Sequence, residues 1–413
     1  MRDSAMGQQD DGQGTGSGGP LGPAAPVVAW LLAEGYHLST APTLLEGFLA
    51  HLRALGLGID RCSLNVRLLH PQIRGITYTW RSDRDGVEQV NREHGVEHTP
   101  GYKTSPIAAI MEDGSEGIRV PMGRVPPPYG FPIVDELAAE GFTDYAAMPL
   151  LFSNGRRNVF SVATRRPEGF TTDELALLYA SLPALTVLLE TRMLRLLASN
   201  LLNTYVGPGA GQRILDGDIR RGSGLTIGAV LWFCDLRGFT VLADTLPIGQ
   251  LIALLNNYFE IMGGAVQRRG GEILKFVGDA ILAIFPLDPA GGDADRAAKC
   301  ALAMGAAEEA MAGMEAVNAE RAAWGIPQLG AGIAMHVGDV LYGNIGTTDR
   351  LDFTVIGPAV NLVTRLEGLT RTLDRPLLTS AEFAAAWPGD RLKSLGYHPV
   401  KGLKEPVEVF GLG

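Results

Sequence analysis

Apolar and polar positions follow two different rhythms along the chain, and the change from one to the other marks out its elements. Over 44–55, Leu44, Leu45, Phe48, Leu49, Leu52 and Leu55 recur on one broad face, which predicts an amphipathic helix. Strand-like runs follow at 62–69 and 75–80, and the Gly- and Pro-rich stretch 113–132 reads as a loop. Runs at 145–152 and 158–164 predict two strands joined by a hairpin turn at Ser153-Asn154-Gly155. Thr171-Thr172-Asp173-Glu174 opens a helix with acidic residues in its first turn. That helix runs to about 205 with an apolar face of Leu194, Leu196, Leu197, Leu201 and Leu202, and Pro183 is expected to kink or divide it.

A second set of elements starts near Gly224. Residues 229–234 form a buried-strand run, 247–268 are helical, and Gly270-Gly271 breaks that helix. Residues 272–277 and 280–285 predict a hairpin around Gly278-Asp279. An Ala-rich helix over 295–322, a strand at 331–337 and a helix from 359 to 368 complete the reading. Hairpins among the interleaved helices point to an α+β antiparallel sheet and away from a Rossmann fold. The expected organisation is a disordered tail at 1–25, a first domain at 26–190, a helical linker at 191–222 and a second domain at 223–413. An apolar-faced helix between two domains either pairs with its own copy in a dimer or packs on the first domain.

Composition narrows the classes. A chain of 413 residues suits two domains, and 46% hydrophobic with 19% charged residues suits ordinary folded cores. The net charge of −10 argues against a general nucleic-acid binder. Cys62, Cys234 and Cys300 form no CxxC pair, so neither a disulfide framework nor a zinc knuckle is expected. No uninterrupted apolar run reaches the ~20 residues a membrane helix needs. No secretory leader is recognised either, so a cytoplasmic location without a membrane partner is expected.

Two aspartates carry the candidate chemistry. Asp235 follows the apolar run Leu231-Trp232-Phe233-Cys234, and Asp279 sits in the turn after Phe276-Val277-Gly278. A carboxylate at the end of a buried strand is costly unless a cation neutralises it. Mg²⁺ favours a few carboxylates plus substrate phosphate oxygens, so the pair suits phosphoryl transfer. Taken singly, each aspartate also reads as a turn residue or a helix cap.

Three motifs in order change that. Phe233-Cys234-Asp235-Leu236-Arg237-Gly238-Phe239-Thr240, then Lys275-Phe276-Val277-Gly278-Asp279, then the run from Phe353-Thr354 through Asn361 to Arg365, resemble the class III adenylate/guanylate cyclase catalytic domain. The likeness runs from about 226 to 410 and implies a ferredoxin-like βαββαβ core acting as a homodimer. Position by position it implies that Asp235, Asp279 and the Leu236 carbonyl hold two Mg²⁺ or Mn²⁺ ions. Gly238, Phe239 and Thr240 would offer N–H groups to the phosphates. Lys275 and Thr354 would recognise adenine, Asn361 the ribose, Arg365 the α-phosphate and Lys401 the terminal phosphates. The implied reaction is in-line attack of the ribose 3′-oxygen of ATP on the α-phosphorus, giving cyclic AMP and pyrophosphate.

Thr354 stands where many members carry Asp, which resembles the Thr-containing subgroup, some of which respond to bicarbonate. Pro358, where Asp is common, reads as a helix-start proline. The first domain resembles a GAF sensory domain, chiefly over 155–161 and 167–171, so an unknown small-molecule ligand is expected there. A guanylate cyclase and a catalytically silent nucleotide-binding regulator remain rival readings. Lys275 opposes the first, and the complete set of metal and transition-state positions opposes the second. His94 and His98 are a weak metal candidate because Gly95 separates them. His336 reads as a core residue and Cys234 as a small buried hydrophobe.

Overall fold

The computed structural model describes residues 22–70 and 72–413, and these divide after Asn200 into two compact units. Of the expected tail at 1–25, residues 1–21 lie outside the described residues. Positions 22–25 do not follow the expectation: Ala24 is fully buried, and Ala25 opens a helix.

The first unit contains α1 (Ala25–Ala33), α2 (Ala41–Ala54), β1 (Arg61–Arg67), β2 (Ile73–Arg81) and β3 (Val87–Glu93). It continues with α3 (Pro100–Lys103), α4 (Pro106–Met111), β4 (Ile118–Val120), α5 (Pro132–Ala139), β5 (Asp144–Leu151), β6 (Arg157–Thr164) and most of α6 (Thr172–Tyr205). The antiparallel sheet has the order β3-β2-β1-β6-β5-β4. Cys62, Leu64 and Val66 of β1 turn to one face, where they join Leu44, Phe48 and Leu52 of α2 and Leu178, Leu185 and Leu189 of α6. The opposite face carries a second core over β5 and β6 that includes Tyr145, Ala147, Val159 and Ala163. The β5–β6 hairpin turns at Gly155, whose φ of +77° a side chain rarely adopts. Strand β3 escaped sequence reading because Val87–Glu93 is an exposed edge with only two apolar residues.

Helix α6 corrects an expectation. It runs unbroken through Pro183 for 34 residues, so the proline does not divide it. An interior proline costs ~3 kcal/mol. Burial of Leu178, Leu182, Leu185, Leu188 and Leu189 on the surrounding turns offsets it. By length and composition alone α6 is also long and apolar enough to cross a membrane. Those same leucines belong to the first unit's core.

The second unit contains α7 (Pro208–Leu215), β7 (Gly224–Arg237), α8 (Phe239–Thr245), α9 (Ile248–Arg268), β8 (Glu272–Val277), β9 (Ala280–Pro286), α10 (Gly292–Ala323) and β10 (Gly330–Gly346). Then come β11 (Leu351–Ile356), α11 (Pro358–Thr372), β12 (Leu377–Ser380), α12 (Ala381–Ala386), β13 (Leu392–His398) and β14 (Val407–Leu412). The sheet order β13-β14-β12-β10-β7-β9-β8, with β11 on β10, contains the expected βαββαβ core as β10-β7-β9-β8. β7 and β10 pair antiparallel over fourteen positions, from Gly224↔Gly343 to Arg237↔Gly330. The sheet is not wholly antiparallel, since β10 and β12 run parallel. Central strand β7 sends Val230, Trp232 and Cys234 into one core and Ala229, Leu231 and Phe233 into another. α7 is seated on β8 by Glu272, which accepts from the Ala210 N–H at 3.0 Å and the Tyr342 hydroxyl at 2.9 Å.

Candidate functional site

Asp235 continues the Ala229–Leu231–Phe233 face of β7 to the point where the strand leaves its core. Its Oδ2 accepts a hydrogen bond from Arg371 Nη2 at 3.1 Å, near the end of α11. Asp279 lies in the β8–β9 turn after Gly278. Because β9 pairs with β7 at Cys234↔Ile281, the turn is brought beside Asp235. Burial, together with the hydrogen bond and charge of Asp235, pushes Asp279 up to about 6. Glu367, one turn before Arg371 on α11, is also raised, by its burial and by Asp235.

Three carboxylates therefore lie near the guanidinium of Arg371, with Arg237 also acting on Glu367, and the excess negative charge suits a cation. No group of three His, Cys, Asp or Glu ligands is found among the described residues. Two carboxylates that leave the other ligand positions to substrate oxygens and water are a donor set that fits Mg²⁺. Leu236, the expected carbonyl donor, is fully buried between them in sequence.

Beyond β7 the chain turns at Gly238, whose φ is +76°, and α8 starts at Phe239. The first N–H groups of a helix have no partner within it, so Phe239 and Thr240 can offer theirs to an anion. A Cβ at Gly238 would meet nothing, so it is backbone conformation that favours glycine here.

Lys275 and Thr354 line a different place, a groove of about 850 Å³ between β8, β11, α9 and the segment 203–208. Lys275 Nζ donates to Asp352 Oδ2 at 2.7 Å, and the two side chains are each 43% exposed. That hydrogen bond, then the positive charge behind it, holds Asp352 below its usual range. Thr354, two residues further along β11, is buried.

Asn361 is exposed on the first turn of α11, and Arg365 follows one turn later. Lys401 is exposed in the loop before β14, where Gly402 (φ +82°) lies against the Arg365 guanidinium. At 1.5 Å per residue, Arg365 stands ~9 Å and Asn361 ~15 Å along the helix from Arg371, the residue that touches Asp235.

The chain thus brings together Asp235 with Asp279, Lys275 with Thr354, and Arg365 with the Lys401 loop. The groove lining includes neither aspartate, nor Asn361, Arg365 or Lys401. Asp352, Arg371 and Glu367 were missed by sequence reading. Of the other candidates, His94 Nε2 meets the His70 carbonyl at 2.9 Å. His336 is buried against Ser380 Oγ at 2.8 Å, and burial pushes the buried Cys234 thiol up to about 12.

Residues 227–407 match the family described as "Adenylate and Guanylate cyclase catalytic domain", and this part of the chain is a class III cyclase catalytic domain. Among curated proteins, the adenylate cyclase of Anabaena cylindrica is 37% identical over 158 residues, covering 37% of this chain and 30% of that protein. Adenylate cyclase 1 of Rhizobium meliloti (strain 1021) is 28% identical over 180 residues, covering 43% of this chain and 26% of the relative. The chain spans under a third of the length of these relatives. Among solved structures, the adenylyl cyclase CyaB from P. aeruginosa is 29% identical, with a TM-score of 0.41 over 46% of this chain and 96% of that one.

Proposed function

We propose that this protein is an adenylate cyclase that forms cyclic AMP and pyrophosphate from ATP, with each active site shared between two copies of the chain. The observation that carries the reading is the separation within one copy: the carboxylate pair lies outside the groove that holds Lys275 and Thr354. A two-fold dimer can bring one copy's pair to the other copy's groove and build two equal sites. Curated relatives named adenylate cyclase support the same reading.

In this arrangement Asp235, Asp279 and the Leu236 carbonyl hold two divalent cations, Mg²⁺ or Mn²⁺. When bound, these supply charge neutralisation at the triphosphate and a more acidic 3′-hydroxyl. Gly238, Phe239 and Thr240 steady the phosphates through backbone N–H groups. Lys275 donates to adenine N1, and the Thr354 hydroxyl accepts from the amino group. Asn361 orients the ribose, while Arg365 and Lys401 stabilise the charge that grows as the 3′-oxygen attacks and pyrophosphate leaves. The first unit serves as a GAF-like sensor whose state reaches the catalytic unit along α6, the helix that spans the division between them.

The test is to co-express two inactive variants, Asp235→Ala and Arg365→Ala. A mixed dimer carries both lesions in one site and none in the other. With random pairing, half the dimers are mixed, so activity recovers to about a quarter of wild type. Inactive, folded, verified heterodimers refute the shared site. Product assays with ATP and GTP, each with Mg²⁺ or Mn²⁺, test the substrate. A kcat/KM for GTP equal to that for ATP refutes the base assignment.

A further inference from the structure

The face of the first unit's sheet that turns away from α2 and α6 is built in two unlike halves. Over β5 and β6 it is an apolar core of Tyr145, Ala147, Val159 and Ala163. Over β1, β2 and β3 it is polar. Ser63, Asn65 and Thr77 are buried there, and alternation along each strand sets them opposite Leu64, Val66, Ile76 and Tyr78 of the other face. Burying polar side chains costs free energy unless they find partners. Here they form a chain: Asn65 Nδ2 donates to Ser63 Oγ at 3.1 Å, and Thr77 Oγ1 donates to Asn65 Oδ1 at 2.9 Å.

The chain ends on Arg92 of β3, whose Nε donates to Thr77 Oγ1 at 3.2 Å. In the register, Arg92 faces Gly75, where a Cβ would overlap the Val66 carbonyl, so the strand position takes only glycine. A cavity of about 320 Å³ opens over this half of the face, walled on its far side by Val96, Tyr102, Ile107 and Met111. Arg67 and Arg74 also reach the cavity, but both are engaged by Glu112, and Arg74 by Glu97 as well. Among the described residues, Arg92 has no carboxylate within ion-pair distance. One guanidinium is thus anchored through Nε, with its remaining N–H groups making no hydrogen bond among the described residues, beside a small and mostly apolar space.

We propose that this cavity binds a small organic anion, with its carboxylate or phosphate on the Arg92 guanidinium and its apolar body against Tyr102, Ile107 and Met111. A planar guanidinium matches either anion by paired hydrogen bonds, and the fixed Nε lowers the entropy cost of pairing. The cavity volume lies at the low end for small-molecule sites, which limits the ligand to one ring or a short chain besides its anionic group. The site lies wholly in the first unit and does not depend on the cyclase reading.

The experiment is calorimetric titration of the full chain with benzoate, phenyl phosphate and the neutral benzyl alcohol. Both anions are expected to bind with roughly millimolar dissociation constants, as suits fragments of this size. Benzyl alcohol should bind at least about tenfold more weakly, because it offers no charge to the guanidinium. Arg92→Gln should weaken both anions by at least about tenfold, with Arg92→Lys between it and wild type. Arg92 is exposed on an edge strand, so both variants are expected to fold, and circular dichroism checks this. Lys401→Ala, which alters the other unit, should leave benzoate binding unchanged. If Arg92→Gln binds the anions as well as wild type does, if the alcohol binds equally, or if neither anion binds saturably, the proposal is overturned. If benzoate alone binds, the anionic group is a carboxylate; if phenyl phosphate alone binds, it is a phosphate.

Discussion

Asp352→Asn tests how the groove holds Lys275, the residue proposed to read the base. Asp352 Oδ2 lies 2.7 Å from Lys275 Nζ, and both side chains are 43% exposed, so water screens the pair heavily. Exposed pairs of this kind are worth ~0.2–1 kcal/mol. Asparagine keeps the shape and a hydrogen-bond acceptor but loses the charge. The loss should appear as poorer placement of Lys275 for adenine N1: an ATP kcat/KM lower by about 1.4- to 5-fold, from 0.2–1 kcal/mol at 1.4 kcal/mol per decade. Turnover of GTP, whose N1–H cannot accept from a lysine, should change less, so ATP selectivity narrows. The assay is a double-mutant cycle on purified protein with Asp352→Asn, Lys275→Ala and the double variant, read as kcat/KM for both nucleotides. If Asp352 acts through Lys275, its substitution does almost nothing once Lys275 is alanine. An undiminished effect of Asp352→Asn in the Lys275→Ala background refutes the reasoning. Asp352 is held below its usual range, so the folded pair contributes fully above the ordinary carboxylate value. It fades as pH falls through the lower folded value, and the cycle belongs at pH 7–8.

Asp279→Asn should remove most cyclase turnover, since an amide is a poor Mg²⁺ ligand. Because burial and Asp235 raise its carboxyl, the ionised group costs folding free energy at pH 8, so without divalent cations the variant should melt no lower than wild type. Gly332→Ala places a Cβ onto the Glu367 carboxylate and the Thr370 hydroxyl and should push α11 from β10. Overpacking of that kind costs ~1–3 kcal/mol, so the second unit's denaturation midpoint should fall together with turnover, and an unchanged midpoint refutes the close approach. Burial holds His336 below its usual value despite Glu382, so its share of stability is full above about 6.5. That share is lost as pH falls from there toward the lower folded value. His336→Gln should therefore lose less stability than wild type between pH 7.5 and 5.5, measured by denaturant titration at each pH.

The second unit's core was legible in the sequence because its signals are local. The hairpin around Gly278-Asp279, the apolar run into Asp235 and the Ala-rich helix each sit within one stretch of chain, so periodicity and turn chemistry reveal them. The motifs spanning 233–240, 275–279 and 353–365 single out Asp235, Asp279, Lys275, Thr354, Asn361 and Arg365 as candidate site residues. Pro183 shows where local reasoning loses: its penalty is set on one turn, while the leucines that outweigh it gain their burial from distant helices and strands.

Tertiary structure alone decided which charges meet. Asp352 is 77 residues from Lys275, and Arg371 is 136 from Asp235; each reads in the chain as an ordinary solvated charge. The same holds for the first unit, where Ser63, Asn65, Thr77 and Arg92 look like scattered polar positions on three strands until antiparallel pairing lines them up on one face. Periodicity tells which way a side chain points from its own backbone, but strand register and helix packing over long sequence separations determine what it meets there.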